Sequence, residues 1–446
     1  MGASVLEVLD AVACGSDAAV PSAPAARVIR IGLLGFGRVG QAVARVAAAE
    51  QDALAAAGVR IECTAALVRD ARRARPDAPA TPLVTDAQGV FESGVDVIVE
   101  ALGGVEPARS LVARALHAGI PVVTANKSLV AAHGQELRAL AARRGTPLLC
   151  EAAALAGVPV LGALSRRPLL ASLTALAGIL NGTTHFILGE IARGASFDAA
   201  LARAVALGFA EPDSAADVSG RDAAEKLTLL LHLAGYFDAR VESITRLGID
   251  AVTAADVSAA EHLDGTIKPV VLASLQADAG GAWVGPAFVA DSHPFARLTG
   301  VTNALSLWGA RGREAHFTGP GAGPDVTAAT VLDDVVEAAG AVRASAGQHA
   351  DGIAVRAKRR AALETPAPSS WFVRLAGASE LGPRDVAEFL ALHGTPALRL
   401  ARHGDSLAAL TSRASWDAVQ EVAGAFEAWG TRPLVIPAIG IEDAGA

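Results

Sequence analysis

The sequence predicts an α/β protein built from three successive folding units. Near its start, the apolar stretch at 28–34 runs directly into a glycine-rich turn and then into a helical run. Further buried strands alternate with helices up to about residue 150, which is typical of a parallel sheet with helical crossovers. Residues 371–446 instead predict the order strand, helix, strand, strand, helix, strand. We therefore expect an α/β domain first, an α+β domain in the middle and a smaller βαββαβ domain at the end.

Composition excludes several classes of protein. Hydrophobic residues make up 52% of the chain and charged residues 19%, which is typical of a globular protein. The net charge of −8, without long basic runs, argues against nucleic acid as a partner, because binding phosphates needs clustered Lys and Arg. The longest uncharged stretch, at 168–189, contains Asn181 and several glycines and is a poor membrane span. The sequence predicts a soluble protein.

The N-terminal extension and the cysteines indicate the compartment. Residues 1–26 lack a basic n-region, and Glu7 and Asp10 within their apolar part disfavour a secretory signal. The three cysteines are Cys14, Cys63 and Cys150. They are odd in number and too far apart for a metal knuckle or a redox pair. Because they fit a reducing environment, we expect a cytoplasmic protein.

The glycine-rich turn matches the G-x-G-x-x-G fingerprint. Its six residues are Gly35, Phe36, Gly37, Arg38, Val39 and Gly40. In this motif the first glycine permits the tight turn, the second lets the backbone approach a pyrophosphate, and the third lets the helix pack close to the strand. The helix N-terminus then faces the phosphates. The strand–turn–helix context predicts a dinucleotide-binding Rossmann domain, which we place at 27–150.

The end of the second predicted strand, at 60–68, indicates which dinucleotide binds. An acid at this point holds the ribose hydroxyls of NAD, whereas arginine suits the 2′-phosphate of NADP. The chain offers both, in Arg69, Asp70, Arg72 and Arg73. The arginines favour NADP, with NAD as one alternative and a solvated basic loop without a cofactor role as another.

Two further steps follow strands of the same domain. A strand at 95–100 leads to Gly103, where a glycine lets the nicotinamide half lie against the backbone. The next strand ends in the tetrapeptide T-A-N-K, which runs from Thr124 to Lys127. Lys127 is predicted at the carboxyl end of a parallel strand, the side on which open α/β sheets bind ligands. It either reaches the nicotinamide or a substrate carboxylate, or merely starts a surface helix.

The segment at 207–231 is the richest in acids. Asp222 and Lys226 are one helical turn apart and share a face, and an ammonium beside a carboxylate is a proton-handling arrangement. Glu211 and Asp217 precede this helix on a loop that can converge with Lys226 or bind a cation. The alternative is structural: acids at a helix start and an exposed pair worth about 0.3–0.5 kcal/mol.

With these motifs in place, the sequence resembles a known family. The string A-x-x-x-G-F-A-E-P-D-x-x-x-D-V-x-G-x-D-A-A-x-K at 204–226 is similar to the signature of homoserine dehydrogenases. The T-A-N-K step, E-A-A-A-L-A-G-V-P at 151–159 and G-I-L-N-G-T-T-H-F-I-L at 178–188 resemble further elements of that family. Two departures are Ser214, where proline is usual, and His185, where asparagine is usual. A lone histidine such as His185 is more often structural than titrating.

The resemblance implies a reversible, NAD(P)-dependent interconversion of L-homoserine and L-aspartate 4-semialdehyde in threonine and methionine biosynthesis. Lys226 would give a proton to the reacting oxygen, with Asp222 and Lys127 as further catalytic residues. The residues implied for substrate binding are Glu211, Thr183 and Asp217. Glu211 would pair with the substrate ammonium, because a carboxylate in a partly dry site recognises that charge strongly. Lys127 would hold the substrate carboxylate or the reacting oxygen.

The resemblance also implies groups outside the reacting centre. Relatives hold a monovalent cation such as sodium with backbone oxygens, whereas a tight loop before a helix is the alternative here. The matching positions are Glu151, Ala154, Ala156 and Val158. Gly323 would approach the cofactor, although a plain hinge would look the same. Its segment, at about 319–340, would complete the nucleotide domain, and 151–318 would form the substrate and dimerisation domain of a homodimer or homotetramer.

The C-terminal part follows a predicted linker at 357–370, which is charged and then rich in Pro and Ser. The βαββαβ order of 371–446 resembles the ACT regulatory domain. The D-x-P-G-x-L ligand turn of such domains is not clean, because the chain has E-L-G-P-R-D-V at 380–386. Amino-acid feedback therefore stays open. So do two rivals of the main interpretation: another NAD(P)-dependent amino-acid dehydrogenase, and a catalytically inactive nucleotide-binding protein whose tail senses a metabolite.

Overall fold

A computed structural model describes residues 26–75, 79–166, 172–211, 213–276, 280–321, 323–344 and 363–441. The extension predicted for 1–26 lies outside the described residues apart from its last position, and so does the first part of the predicted linker, up to residue 362. Two β-sheets organise the described part. Among the described residues, no helix has the length and hydrophobicity needed to cross a membrane.

The first sheet has six parallel strands in the order β3-β2-β1-β4-β5-β6. The strands are β1 (Arg27–Leu34), β2 (Val59–Leu67), β3 (Leu83–Val84), β4 (Val97–Glu100), β5 (Val122–Thr124) and β6 (Leu148–Leu149). The helices between them are α1 (Arg38–Ala49), α2 (Gln51–Ala56), α3 (Ala87–Phe91), α4 (Ala108–His117) and α5 (Lys127–Arg144). The strand order reverses between β1 and β4, which makes the crevice beyond their carboxyl ends the expected ligand site. The predicted Rossmann fold is confirmed.

β1 occupies the centre of this sheet because its side chains are apolar on both faces. Ile29 and Ile31 are fully buried in one core, and Leu34 is fully buried in another. A late helix, α13 (Pro324–Ala344), packs on the same core and buries Val331 beside β1 and α1. The chain therefore returns to the nucleotide domain after its middle part and before its C-terminal strands.

The second sheet has 10 strands, in the order β12-β11-β7-β9-β10-β16-β13-β15-β14, with β8 paired to β10. The strands from the middle of the chain are β7 (Leu173–Ile179), β8 (Thr245–Arg246), β9 (Gly265–Ser274), β10 (Gly281–Ala290), β11 (Thr302–Gly309) and β12 (Arg313–Pro320). The α-helices of this part are α6 (Glu151–Leu155), α7 (Val160–Arg166), α8 (Gly182–Ala192), α9 (Phe197–Ala206), α10 (Ala215–Val218), α11 (Arg221–Leu233) and α12 (Ala254–Glu261). Short 3-10 turns lie at Val241–Ser243, Ile249–Ala251, Pro294–Arg297 and Ala310–Gly312.

The C-terminal elements follow the predicted order of strand, helix, strand, strand, helix, strand. They are β13 (Ser370–Ala376), α14 (Pro383–Leu392), β14 (Ala397–His403), β15 (Ser406–Thr411), α15 (Trp416–Ala428) and β16 (Arg432–Ile439). β16 pairs in parallel with β10, through Phe288 with Ala438 and Val289 with Ile439. The C-terminal strands thus extend the middle sheet. No local sequence pattern predicts this pairing.

Candidate active site

The glycine turn between β1 and α1 is shaped for a dinucleotide. Gly35 has a φ of +101°, and a Cβ there would lie 2.6 Å from the Ala101 carbonyl oxygen. A Cβ on Gly40 would lie 2.2 Å from the Gly35 carbonyl oxygen, so only glycine lets α1 pack this closely. At Gly37, the residue that precedes α1, a Cβ would meet nothing within 4 Å. This open space at a helix N-terminus fits a pyrophosphate.

The other residues of the turn take different positions. Phe36 is buried in the core of the nucleotide domain, and Val39 packs against the same core. Only their backbone can therefore serve the cofactor. Arg38 is exposed, and its Nη2 lies 3.8 Å from Oε1 of Glu211, which belongs to the substrate loop. The contact shows that the nucleotide turn and the substrate loop lie next to each other.

The predicted coenzyme-selecting arginine lies at the surface beyond β2. Arg69 is exposed. The neighbouring Asp70 carboxylate accepts a hydrogen bond of 2.8 Å from the backbone N–H of Arg72, and its backbone carbonyl accepts one of 3.2 Å from the Arg75 guanidinium. Asp70 is thus already engaged in its own turn.

A buried carboxylate organises the far side of the crevice. Glu100, at the end of β4, is fully buried and accepts hydrogen bonds from the Thr124 hydroxyl (2.5 Å) and the Asn126 amide (3.1 Å). It also accepts one from the Leu102 backbone N–H (2.8 Å), while burial raises the pKa of Glu100. The Thr124 side chain therefore anchors the start of the T-A-N-K segment to Glu100. Gly103 has a φ of +74°, and a Cβ there would meet nothing within 4 Å.

The centre of the site is a carboxylate shared by two lysines. Oδ1 of Asp222 lies 2.7 Å from Nζ of Lys127, and Oδ2 lies 3.0 Å from Nζ of Lys226. Lys226 also donates a 2.7 Å hydrogen bond to the Leu180 carbonyl oxygen. Burial alone would raise the pKa of Asp222, but the charges of Lys226 and Lys127 outweigh it and hold that pKa well below its usual range.

Asn181, which directly precedes α8, supports this centre. The Asn181 side-chain oxygen caps α8 by accepting from the Thr184 backbone N–H at 2.8 Å. Its amide nitrogen donates to Asp217 at 2.7 Å and to Asp222 at 3.0 Å. Burial and the nearby Asp222 charge raise the pKa of Asp217, although the hydrogen bond from Asn181 opposes that shift. Asn181 thus holds two like charges side by side.

The remaining predicted substrate residues lie on the rim. The Thr183 hydroxyl donates a 2.6 Å hydrogen bond to the Phe209 carbonyl oxygen, which ties the start of α8 to the substrate loop. Glu211 is exposed over 80% of its side chain and contacts Arg38. The structure therefore places Glu211 at the surface, beside the nucleotide turn.

The positions predicted for a monovalent cation lie on the short helix α6 and in the turn that follows it. Both carboxylate oxygens of Glu151 accept backbone hydrogen bonds of 2.7–2.8 Å at the start of α7, and burial raises the pKa of Glu151. The Val158 carbonyl accepts a 2.8 Å hydrogen bond from Val160. Ala154 is buried, and Ala156 ends the loop helix. Within the described ranges, no cluster of three or more His, Cys, Asp or Glu side chains forms a metal site.

The structure also places Gly323 and His185, which the sequence analysis named. Gly323 directly precedes α13 and has a φ of +133°, which favours glycine. His185 is 1% exposed, and its two ring nitrogens lie 3.0 and 3.2 Å from the carbonyl oxygens of Thr302 and Leu298. Burial and the nearby Lys268 charge lower the pKa of His185 to about 4, and the two carbonyl contacts hold the ring in a structural position.

A Rossmann sheet with a glycine cradle, facing a cleft lined by two lysines on one carboxylate, defines an NAD(P)-dependent oxidoreductase. Comparisons with known proteins narrow this class. A family profile described as "Homoserine dehydrogenase, NAD binding domain" matches residues 35–151, and one described as "Homoserine dehydrogenase" matches residues 159–336. The homoserine dehydrogenase of Bacillus subtilis is 35% identical over 314 residues, which is 70% of this chain and 72% of that protein.

Solved structures agree with these matches. The crystal structure of a homoserine dehydrogenase from Thiobacillus denitrificans is 31% identical with a TM-score of 0.82, covering 94% of this chain and 99% of that one. A hyperthermophilic archaeal homoserine dehydrogenase in complex with NADPH is 26% identical with a TM-score of 0.57, covering 70% of this chain and 97% of that one. The chain belongs to the homoserine dehydrogenase family, whose members are NAD(P)-dependent oxidoreductases of amino-acid biosynthesis that act on a CH–OH group. The predicted family and reaction class are confirmed.

Proposed function

We propose that this cleft interconverts L-homoserine and L-aspartate 4-semialdehyde, with Lys226 as the group that moves the proton. The observation that carries the proposal is the pair of ammonium groups on one partly buried carboxylate. An ion pair with Asp222 and a hydrogen bond to the Leu180 carbonyl oxygen orient two of the three N–H groups of Lys226. The third is left to face a substrate oxygen, which is the requirement for general acid catalysis.

The bound dinucleotide supplies or accepts the hydride. Lys226 gives its proton to the substrate oxygen when the aldehyde is reduced, and takes it back when the alcohol is oxidised. Lys127 places a second positive charge at the same cleft, where it stabilises the substrate carboxylate or the developing oxyanion. Asp222 holds both ammonium groups in place.

The residues that we assign to substrate recognition lie at the rim of the cleft. We assign the substrate ammonium to Glu211, whose carboxylate is exposed, and Asp217 adds a second negative charge inside the cleft. Thr183 fixes the substrate loop through Phe209. When the substrate binds, Glu211 exchanges its long contact with Arg38 for the substrate amine, and Arg38 becomes available to the cofactor phosphates.

We propose NADP as the preferred coenzyme. The exposed Arg69 follows β2, where a 2′-phosphate is recognised, and Asp70 is engaged in its own turn. The solved structure of the archaeal relative is in complex with NADPH, which supports the same choice.

The finer context of the enzyme also belongs to the proposal. We expect a homodimer or homotetramer formed through the middle sheet, in the cytoplasm, where the thiols of Cys63 and Cys150 remain free. A monovalent cation held by backbone oxygens at 151–158 stays a prediction. Activity in sodium, potassium and tetramethylammonium buffers of equal ionic strength would test it.

The deciding experiment follows reduced-nicotinamide absorbance with L-homoserine and NADP⁺ or NAD⁺ in parallel. We expect turnover with both coenzymes and a higher kcat/KM for NADP⁺. Lys226→Ala should bind NADPH with unchanged affinity, measured by its fluorescence, yet lose most of kcat. Unchanged kcat in this variant would remove Lys226 from its assigned role. Binding of NADPH without any turnover in the wild type would favour a catalytically inactive protein.

A further inference from the structure

Lys127 has a second acidic partner that the family signature does not include. Oε2 of Glu225 lies 2.9 Å from Nζ of Lys127, almost as close as Oδ1 of Asp222 at 2.7 Å. In the D-A-A-x-K string, Glu225 is the unspecified position. Asp222 and Glu225 are three residues apart on α11, so both carboxylates lie on the helix face that meets the N-terminus of α5.

The place of Lys127 in the fold makes a single partner insufficient. Lys127 is the first residue of α5, where the unpaired backbone N–H groups carry partial positive charge and disfavour an ammonium. Asp222 is also shared, because its other oxygen contacts Lys226. Two ammonium groups and a positive helix end thus face one carboxylate, and Glu225 supplies the second negative charge. Its side chain is only one-third exposed, with 33% of its surface accessible, so solvent screens the contact incompletely.

We propose that Glu225 is a positioning residue: it fixes the Lys127 ammonium at the mouth of the cleft, so that the remaining N–H points at the amino-acid substrate. This inference rests on the proposed role of Lys127 in substrate binding. Without Glu225, Lys127 keeps only Asp222, turns towards it and competes with Lys226 for that carboxylate. The effect on the reaction is therefore transmitted through Lys127.

The charges around Lys127 predict a pH signature as well. Asp222 and Glu225 face it from α11, Asp217 and Lys226 lie nearby, and the N-terminal amides of α5 lie beneath it. Burial alone would lower the pKa of Lys127, but the two carboxylates raise it above its usual value. Removing one of them lowers that pKa. In Glu225→Gln, KM for homoserine should therefore start to rise at a lower pH than in the wild type.

A double-mutant cycle tests the proposal in the full-length enzyme. Glu225→Ala should lower kcat/KM for homoserine about tenfold while the affinity for NADPH stays unchanged. In a Lys127→Ala background the same substitution should cause no further loss, because the group it acts on is gone. Glu225→Gln keeps an acceptor for Lys127 and should lose less than Glu225→Ala. The matched control is Arg221→Ala, which removes the other contact of Glu225 (3.3 Å) and should leave kcat/KM unchanged.

Three results would overturn the proposal: no loss in Glu225→Ala, an equal loss in both backgrounds, or a Lys127→Ala enzyme with wild-type kcat/KM. A second readout does not depend on turnover. Acetylation of Lys127 by acetic anhydride, followed by peptide mass spectrometry, should be faster in Glu225→Ala than in the wild type and unchanged in Arg221→Ala. Equal labelling rates in all three would refute the positioning role, whatever the fate of the proposed reaction. A wild type that does not oxidise homoserine would instead refute the proposed function.

Discussion

Alanine substitutions at two glycines of the nucleotide turn, Gly40 and Gly37, should have different effects. The first should destabilise the fold, and the second should weaken coenzyme binding. In Gly40→Ala the new Cβ would lie 2.2 Å from the Gly35 carbonyl oxygen, whereas real Cβ contacts are not shorter than 3.0 Å, so the backbones must part by at least 0.8 Å (3.0 − 2.2). Overpacking of this kind costs about 1–3 kcal/mol. In Gly37→Ala the methyl group meets nothing within 4 Å and the backbone is extended, so the fold should tolerate it.

The two variants should therefore respond oppositely to two assays. Gly40→Ala should lower the urea midpoint of unfolding. Gly37→Ala should keep that midpoint and weaken NADPH binding about tenfold, which equals about 1.4 kcal/mol, because its methyl group occupies the space left for the pyrophosphate. NADPH affinity is read by fluorescence titration. An unfolding loss in Gly37→Ala, or wild-type NADPH affinity there, would refute the assignment of this cradle.

Further predictions concern buried charges. Burial and neighbouring carboxylates raise the pKa of Asp334 to about 8. Because the pKa is raised, the folded protein loses stability as pH rises from about 4 to about 8. Asp334→Asn should therefore be more stable than the wild type in urea at pH 8 and nearly equal to it at pH 4. An equal gain in stability at both pH values would contradict this prediction. Arg374→Ala leaves the fully buried Asp256 carboxylate without its ion pair and should cost about 3–5 kcal/mol of unfolding free energy. The control is Arg384→Ala, on an exposed pair, which should cost less than about 1 kcal/mol; equal losses would show that the buried pair is not special.

Local motifs predicted the nucleotide end of the protein well because their geometry is local too. The turn from Gly35 to Gly40 needs only its own strand and helix to be defined, and each glycine has the steric reason expected for it. The order of the C-terminal elements was also predictable from short-range patterns. Their attachment to β10 was not, since pairing between Phe288 and Ala438 joins distant segments whose sequences carry no mutual signal.

The sequence predicted which residues form the site better than it predicted their contacts. Lys127 and Asp222 are 95 residues apart, so their ion pair could be expected only through the family resemblance. Glu225 was missed because it occupies an unspecified position of the signature. Thr124 is a motif residue whose side chain supports Glu100 instead of facing the cleft. A motif identifies which residues a site needs, while the direction of each side chain depends on packing partners elsewhere in the chain.

The geometry of Asp222 also decides how a proton can move. A carboxylate with a strongly lowered pKa is a weak proton acceptor, so Asp222 cannot compete with a newly formed alkoxide for the Lys226 proton. It holds the lysines without acting as a relay.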